Sequence, residues 1–200
     1  IALFDGPREA DTVFFGGGTP SLIAPRDLET VLHAVRDRFS LTSDCELTLE
    51  ANPDDITGDL VRAWIDLGVN RVSLGVQSFN EDALRYLGRR HDADGARRAC
   101  EIIGSNLTNW NIDLIFGVLP YDAWPATLEE TARMNSPHVS AYGLTYEAGT
   151  PFGKRAEEAI DEDLYLEQYT ATQSLLHHVA RYEVSNYAKP GHESVHNLHY

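Results

Sequence analysis

Apolar residues along the chain follow two rhythms in turn. Short β-branched and aromatic runs alternate at a period of about two, and longer stretches place apolar residues about every three to four positions. Thr12–Phe15 reads as a first strand that stops at Gly16-Gly17-Gly18. Leu28, Val31, Leu32 and Val35 then share one face of a helix running from Pro25 to about Phe39. Glu46–Glu50 alternates polar and apolar, which predicts a half-buried strand with Leu47 and Leu49 inward and Thr48 outward. Thr57 caps, and Gly68 ends, a helix whose inner side carries Val61, Trp64, Ile65 and Leu67. Arg71–Val76 is a third strand, followed by a helix capped at Asn80 and another near Ala93–Ile103. Trp110–Phe116 is a fourth strand, Pro125–Met134 a helix and His138–Leu144 a fifth strand. A helix around Asp161–Val179 and a short strand near Tyr182–Val184 follow.

Strand starts fall about 25–45 residues apart with a helix between each pair, the βαβ rhythm of an α/β protein with a parallel sheet. Periodicity alone leaves a barrel and a doubly wound open sheet both standing. A chain of 200 residues that is 42% apolar suits one globular domain, and it carries no internal repeat or long linker. The net charge of −15 argues against nucleic acid or an anionic membrane as partner. No apolar run approaches the length needed to span a bilayer, and no signal pattern opens the chain. With only Cys45 and Cys100, there is neither a disulfide framework nor a metal-type spacing, which predicts a reducing compartment, the cytoplasm. The acidic run Glu157–Asp163 reads as a solvated helix start. The chain opens at Ile1 and closes at Tyr200 in mid-pattern, as a fragment would.

Parallel α/β folds bind ligands at the C-terminal ends of their strands. The first strand delivers Gly16, Gly17, Gly18 and Thr19 there, the second Glu50 with Asn52, and the third Gln77 with Ser78. The fourth carries Asp113 between Ile112 and Leu114, and the fifth ends near Tyr142 and Thr145. The glycine run either brings backbone close to a ligand or makes a tight turn; it matches neither the GxGxxG nor the P-loop spacing. Glu50 suits a ribose diol or an ammonium group, or is a surface carboxylate. Gln77 suits the same ligand, or is a satisfied strand-end amide. Asp113 sits among apolar neighbours, so its carboxylate needs a ligand or a structural partner. His177, His178, His192, His196 and His199 crowd the end of the chain, either as ligands for a metal or haem iron or as a solvated tail. His196 and His199 have the spacing to share a helix face.

The strings FFGGGTPSLI, LTLEANPDDIT, GVNRVSLGVQSFNEDALRYLGR, NIDLIFG, SAYGLTYEAGTPF and YEVSNYAKPG resemble radical S-adenosylmethionine (SAM) proteins. The nearest resemblance is to the oxygen-independent coproporphyrinogen III oxidase group and its haem-chaperone branch, from about Val13 to Tyr200. It implies a partial (β/α)6 barrel, with residues 1–150 as the SAM-binding core. Residues 151–200 would then hold the last barrel elements and the start of a haem-chaperone region. Gly16, Gly17, Gly18 and Thr19 match the loop that binds the SAM amino acid moiety, Glu50, Gln77, Arg89 and Asp113 match SAM-binding positions, and Thr145 matches a further contact. Arg89, taken by itself, reads as a surface arginine on a helix. The terminal HNLHY resembles the HNxxYW motif of the chaperone branch and makes His196 a candidate haem-binding residue. The resemblance thus implies SAM, a [4Fe–4S] cluster and haem as cofactors and a haem-accepting protein as partner. Its alternative activity is oxidative decarboxylation of coproporphyrinogen III.

One departure from that pattern is the missing CxxxCxxC triad. A cluster of this kind needs three cysteine thiolates close together, which Cys45 and Cys100 do not supply. The triad precedes the GGGTP loop in the family, so truncation is the expected cause. The connections Ser105–Asn109 and Leu119–Trp124 also depart from the family pattern.

Overall fold

The computed structural model describes residues 9–200, and Ile1, where the chain opens in mid-pattern, lies outside them. Five strands, β1 (Glu9–Phe15), β2 (Ser40–Ala51), β3 (Arg71–Gln77), β4 (Trp110–Phe116) and β5 (His138–Gly143), pair in chain order and in parallel. Helices α1 (Pro25–Arg38), α2 (Gly58–Asp66), α3 (Glu81–Tyr86), α4 (Ala93–Asn106) and α5 (Trp124–Met134) make the crossovers. After α6 (Glu162–Leu175), strands β6 (Ala180–Arg181) and β7 (Asn186–Ala188) form a hairpin, with β7 antiparallel to β5. The sheet order is β1-β2-β3-β4-β5-β7-β6, and the sheet curls into a partial barrel. Among the described residues no helix is long and apolar enough to cross a membrane.

The two faces of the sheet differ in chemistry. Leu47, Leu49, Val72, Leu74, Ile112, Leu114 and Val139 join Leu28, Leu32, Val61, Trp64 and Ile103 in one core between strands and helices. Burying such side chains fully contributes about 1.5–3 kcal/mol each. The alternate strand positions face the barrel interior, where Glu46, Thr48, Arg71, Ser73, Asn111, His138 and Ser140 are all buried. The reading of Thr48 as outward is therefore corrected. A parallel strand is covered on both sides, so its polar residues turn into the barrel rather than to solvent.

The predicted caps form: Thr57 Oγ1 accepts from Leu60 N at 3.2 Å, and Asn80 Oδ1 accepts from Asp82 N and Ala83 N at 3.0 Å each. Gly68 ends the α2 turn at φ +100°, a conformation that favours glycine. Asp161 caps α6 through Leu164 N, but Glu158, in the same acidic run, belongs to a separate 3-10 segment and pairs with Arg155. Val31 stands 45% exposed, so the buried face of α1 is narrower than its spacing predicts. Tyr182–Val184 is a turn between β6 and β7 rather than a strand, and α6 stops at Leu175 rather than Val179. The Leu119–Trp124 connection contains a cis Leu119–Pro120 peptide and a 3-10 turn at Tyr121–Ala123.

Candidate functional site

A cavity of about 550 Å³ opens at the C-terminal ends of the parallel strands and reaches into the barrel. Gly18 and Thr19 on the loop after β1, together with Glu50, Gln77, Arg89, Asp113 and Thr145 from the other strand ends and connections, all line it. Gly17 adjoins them, its backbone N donating to Glu50 Oε2 at 2.9 Å. This bond fixes the glycine loop against β2. A Cβ at Gly16 would lie 2.5 Å from the Phe14 ring and 3.1 Å from the Glu50 carboxyl carbon, so the approach of loop and strand requires glycine there. Gly75 is a second such place, where a Cβ would meet Gln77 Nε2 at 3.0 Å and Arg89 NH2 at 3.2 Å.

Gln77 adopts φ +67°, a left-handed conformation that costs a non-glycine residue and clusters at binding sites. Register between β3 and β4 shifts at the same place. Arg89, just beyond α3, turns inward: its NH2 donates to Asn52 Oδ1 at 2.8 Å and to Gly75 O at 3.1 Å. It is a cavity residue rather than a surface arginine. Ser78 moves the other way, buried beneath α5 with its Oγ 3.1 Å from Thr127 Oγ1. Thr145 stands exposed at the rim.

Asp113 has found partners as well as a place on the wall. Its Oδ2 accepts from Ser73 Oγ at 2.8 Å and its Oδ1 from Asn111 Nδ2 at 2.6 Å. Burial nevertheless pushes its pKa up, opposed by these hydrogen bonds and reinforced by the Glu50 carboxylate. Asn111 Oδ1 in turn lies 2.5 Å from His138 Nδ1, and His138 Nε2 lies 2.8 Å from Tyr182 Oη. Burial, with help from the Arg71 charge, lowers His138 to about 2, so the ring is neutral. Sequence reasoning missed Arg71, Ser73, Asn111, His138 and Ser140, all of which line the cavity. The available signal was their alternation with core residues on strands covered on both faces.

His196 does not join this group. It lies against the middle and C-terminal part of β1, its ring stacked on Phe14 at 4.7 Å between centroids and its Nδ1 3.4 Å from Thr12 Oγ1. His196 and His199 belong to a single short 3-10 turn, and His199 Nε2 meets Asp11 Oδ2 at 3.0 Å. His177 bonds the backbone oxygen of Leu175, so the five histidines do not converge. Among the described residues no three His, Cys, Asp or Glu side chains are gathered to hold a metal ion. Cys45 is partly exposed on β2, while Cys100 is buried in α4 with its thiol pushed up to about 12, and neither lines the cavity.

The sequence matches the radical SAM superfamily over residues 2–134. It is 40% identical to "Heme chaperone HemW" of Escherichia coli (strain K12) over 96% of this chain and 52% of that protein. It is 34% identical to the Haemophilus influenzae protein of that name, over 96% of this chain and 52% of the relative. It is also 37% identical to the bovine "Radical S-adenosyl methionine domain-containing protein 1, mitochondrial", over 98% of this chain and 46% of that protein. The chain thus spans about half the length of the curated relatives it matches. Among solved structures, coproporphyrinogen III oxidase (HemN) of Escherichia coli superposes with a TM-score of 0.81 at 24% identity, covering 93% of this chain and 45% of that one. Archaeal Elp3 from Methanocaldococcus infernus superposes at 0.68 and 19% identity, over 84% of this chain and 45% of its own. The curled parallel sheet, the strand-end cavity and the match across more than half of the sequence agree: the chain belongs to the radical SAM superfamily.

Proposed function

We propose that this chain is the SAM-binding part of a haem chaperone, a protein that binds haem and passes it to an acceptor protein. The observation that carries the SAM half is the cavity, where polar groups from five successive strands and their following loops face one space. Its residues fit the cofactor. Gly75 leaves room that a Cβ would fill, Glu50 and Asp113 suit hydroxyl and cationic groups, and Arg89 suits a carboxylate. On this reading Gly16, Gly17, Gly18, Thr19, Glu50, Gln77, Arg89, Asp113 and Thr145 hold SAM, which when bound supplies a sulfonium centre. The described residues do not fit a [4Fe–4S] cluster, since Cys45 and Cys100 are two thiols placed apart.

The haem half rests on the terminal HNLHY segment and on the named haem chaperones at 34–40% identity. Around His196, Val195, Leu198 and Tyr200 are exposed apolar side chains, suited to a flat apolar cargo. Thr12 occupies His196 Nδ1, and Nε2 has no hydrogen bond among the described residues, which suits it to haem iron. Residues 1–150 then form the SAM-binding core and 151–200 begin the haem region. Two free cysteines fit a reducing compartment, the cytoplasm. The oxidase reading has only fold-level likeness behind it, at 24% identity.

An anaerobic haem titration of the chain, followed in the Soret band beside His196→Ala, tests the haem half. Saturable binding weakened at least about tenfold in the variant, with SAM affinity unchanged, is expected. Equal haem affinity in both proteins overturns the role of His196.

A further inference from the structure

A line of hydrogen bonds runs from the C-terminal segment to the cavity wall, and its direction is determined. Asn111 Nδ2 lies 2.6 Å from Asp113 Oδ1, 2.7 Å from Ser73 Oγ and 3.0 Å from Ser140 Oγ, so the amide presents its donor edge to the carboxylate. Its Oδ1 therefore faces His138 Nδ1 at 2.5 Å, and only a protonated Nδ1 makes that contact favourable. Because the ring is neutral, Nε2 keeps its lone pair and accepts from Tyr182 Oη at 2.8 Å. The Tyr182 oxygen accepts in turn from Ser194 N at 3.3 Å and from Asn197 Nδ2 at 3.4 Å. Every donor points the same way, from residues 194–197 toward Asp113.

We propose that His138, held by Tyr182, is a positioning residue for the cofactor cavity: through Asn111 it keeps a donor edge on Asp113 and so holds that carboxylate ready to accept from the ligand. This rests on the reading of the cavity as a SAM site. The alternative polarity, with His138 protonated at Nε2, turns the Asn111 oxygen toward Asp113. Two acceptors then face each other at 2.6 Å unless Asp113 takes up a proton. Fixing the tautomer through Tyr182, which does not line the cavity, excludes that state. Ser73 Oγ, whose proton goes to Asp113 Oδ2, favours the same orientation from the donor side, and His138 holds the amide from its oxygen side.

The test combines nitrogen-15 NMR of the His138 ring with calorimetric titration of SAM. His138 is expected as the Nδ1–H tautomer, and an Nε2–H tautomer overturns the proposal. His138→Phe should lower SAM affinity about tenfold, yet less than twofold when Asp113→Asn is already present, because the two act on one contact. An equal loss in both backgrounds marks His138 as merely structural and overturns the proposal. If His138→Phe does not fold, Tyr182→Phe removes only the hydroxyl donor. It should mix the two ring tautomers and cost about threefold in SAM affinity, and an unchanged tautomer and affinity contradict the proposal. Failure of the wild-type chain to bind SAM would count against the cavity reading instead, and the tautomer is read independently of it.

Discussion

The cavity wall and the last few residues of the chain are both rich in polar side chains, but they organise them in opposite ways. On the wall each group comes from a different strand, and parallel pairing sets its position against the next. Glu50, Asp113 and Arg89 are each tied down by hydrogen bonds within the protein. In the tail, polar groups follow one another along a single turn: Ser194 and Asn197 reach the cavity, but the histidines beside them do not. His196 lies on Phe14, while His199 pairs with Asp11 about half exposed on both sides. Register across a sheet makes a site before any ligand arrives, whereas crowding along the sequence makes a surface. This contrast is what the proposal builds on, with the wall taken as the place of a small polar cofactor and the tail as that of a flat apolar cargo.

The contrast is broken most severely by filling the cavity. Gly75→Val places branched carbon where Gln77 Nε2 and Arg89 NH2 already stand, 3.0 and 3.2 Å from the Cβ position. SAM affinity should fall about a hundredfold, or about 2.7 kcal/mol, in calorimetric titration. Next comes Asp113→Asn, which should cost about 2 kcal/mol of SAM binding, as expected for a lost hydrogen bond to a charged group. The same change should raise the melting temperature at pH 7. In the folded chain Asp113 keeps its proton to higher pH than in the unfolded chain. Between those two pKa values the native state binds more protons, so this group's contribution to stability falls as pH rises through the window. An unchanged or lower melting temperature would count against a cofactor-ready but costly carboxylate.

An effect read in stability rather than in affinity separates the buried imidazole from the exposed ones. His138 is lowered to about 2 from an ordinary value of 6.5, so below pH 6.5 the unfolded chain takes up a proton that the native site refuses. Stability is full above pH 6.5 and falls by up to about 1.4 kcal/mol per pH unit below it. His91 and His178 are lowered by burial as well and act in the same direction. Denaturant unfolding between pH 7 and 4.5 should show the slope, and His138→Gln should flatten it. The smallest effect belongs to the tail. His199→Ala removes a half-exposed pair with Asp11 and should cost no more than about 0.5 kcal/mol.

Much of the fold was legible because the strands and helices announce themselves by period, and Thr57, Asn80 and Gly68 mark boundaries that the structure keeps. The half-site at the strand mouths was legible too, since the C-terminal ends of parallel strands are where ligands bind. The barrel interior was not. Thr48 and Asn111 look solvent-facing when a strand is read as half-buried, and only the second covered face of a parallel sheet turns them inward. Arg89 was reached through the family resemblance and not through its own spacing, for a different reason. Nothing in the sequence of α3 predicts that the chain beyond it bends back to place the guanidinium on Asn52 and Gly75. The histidine-rich end misleads in the reverse sense, because closeness in sequence did not become closeness of ring nitrogens.

The central claim, that the strand-end cavity is a preformed SAM site, is tested most directly by titrating SAM into the chain in a calorimeter, with Arg89→Ala and Asp113→Asn alongside. The account predicts saturable binding at one site, weakened about tenfold or more in each variant while both variants stay folded. Binding of equal strength in all three proteins, or no binding to the wild-type chain, would contradict it.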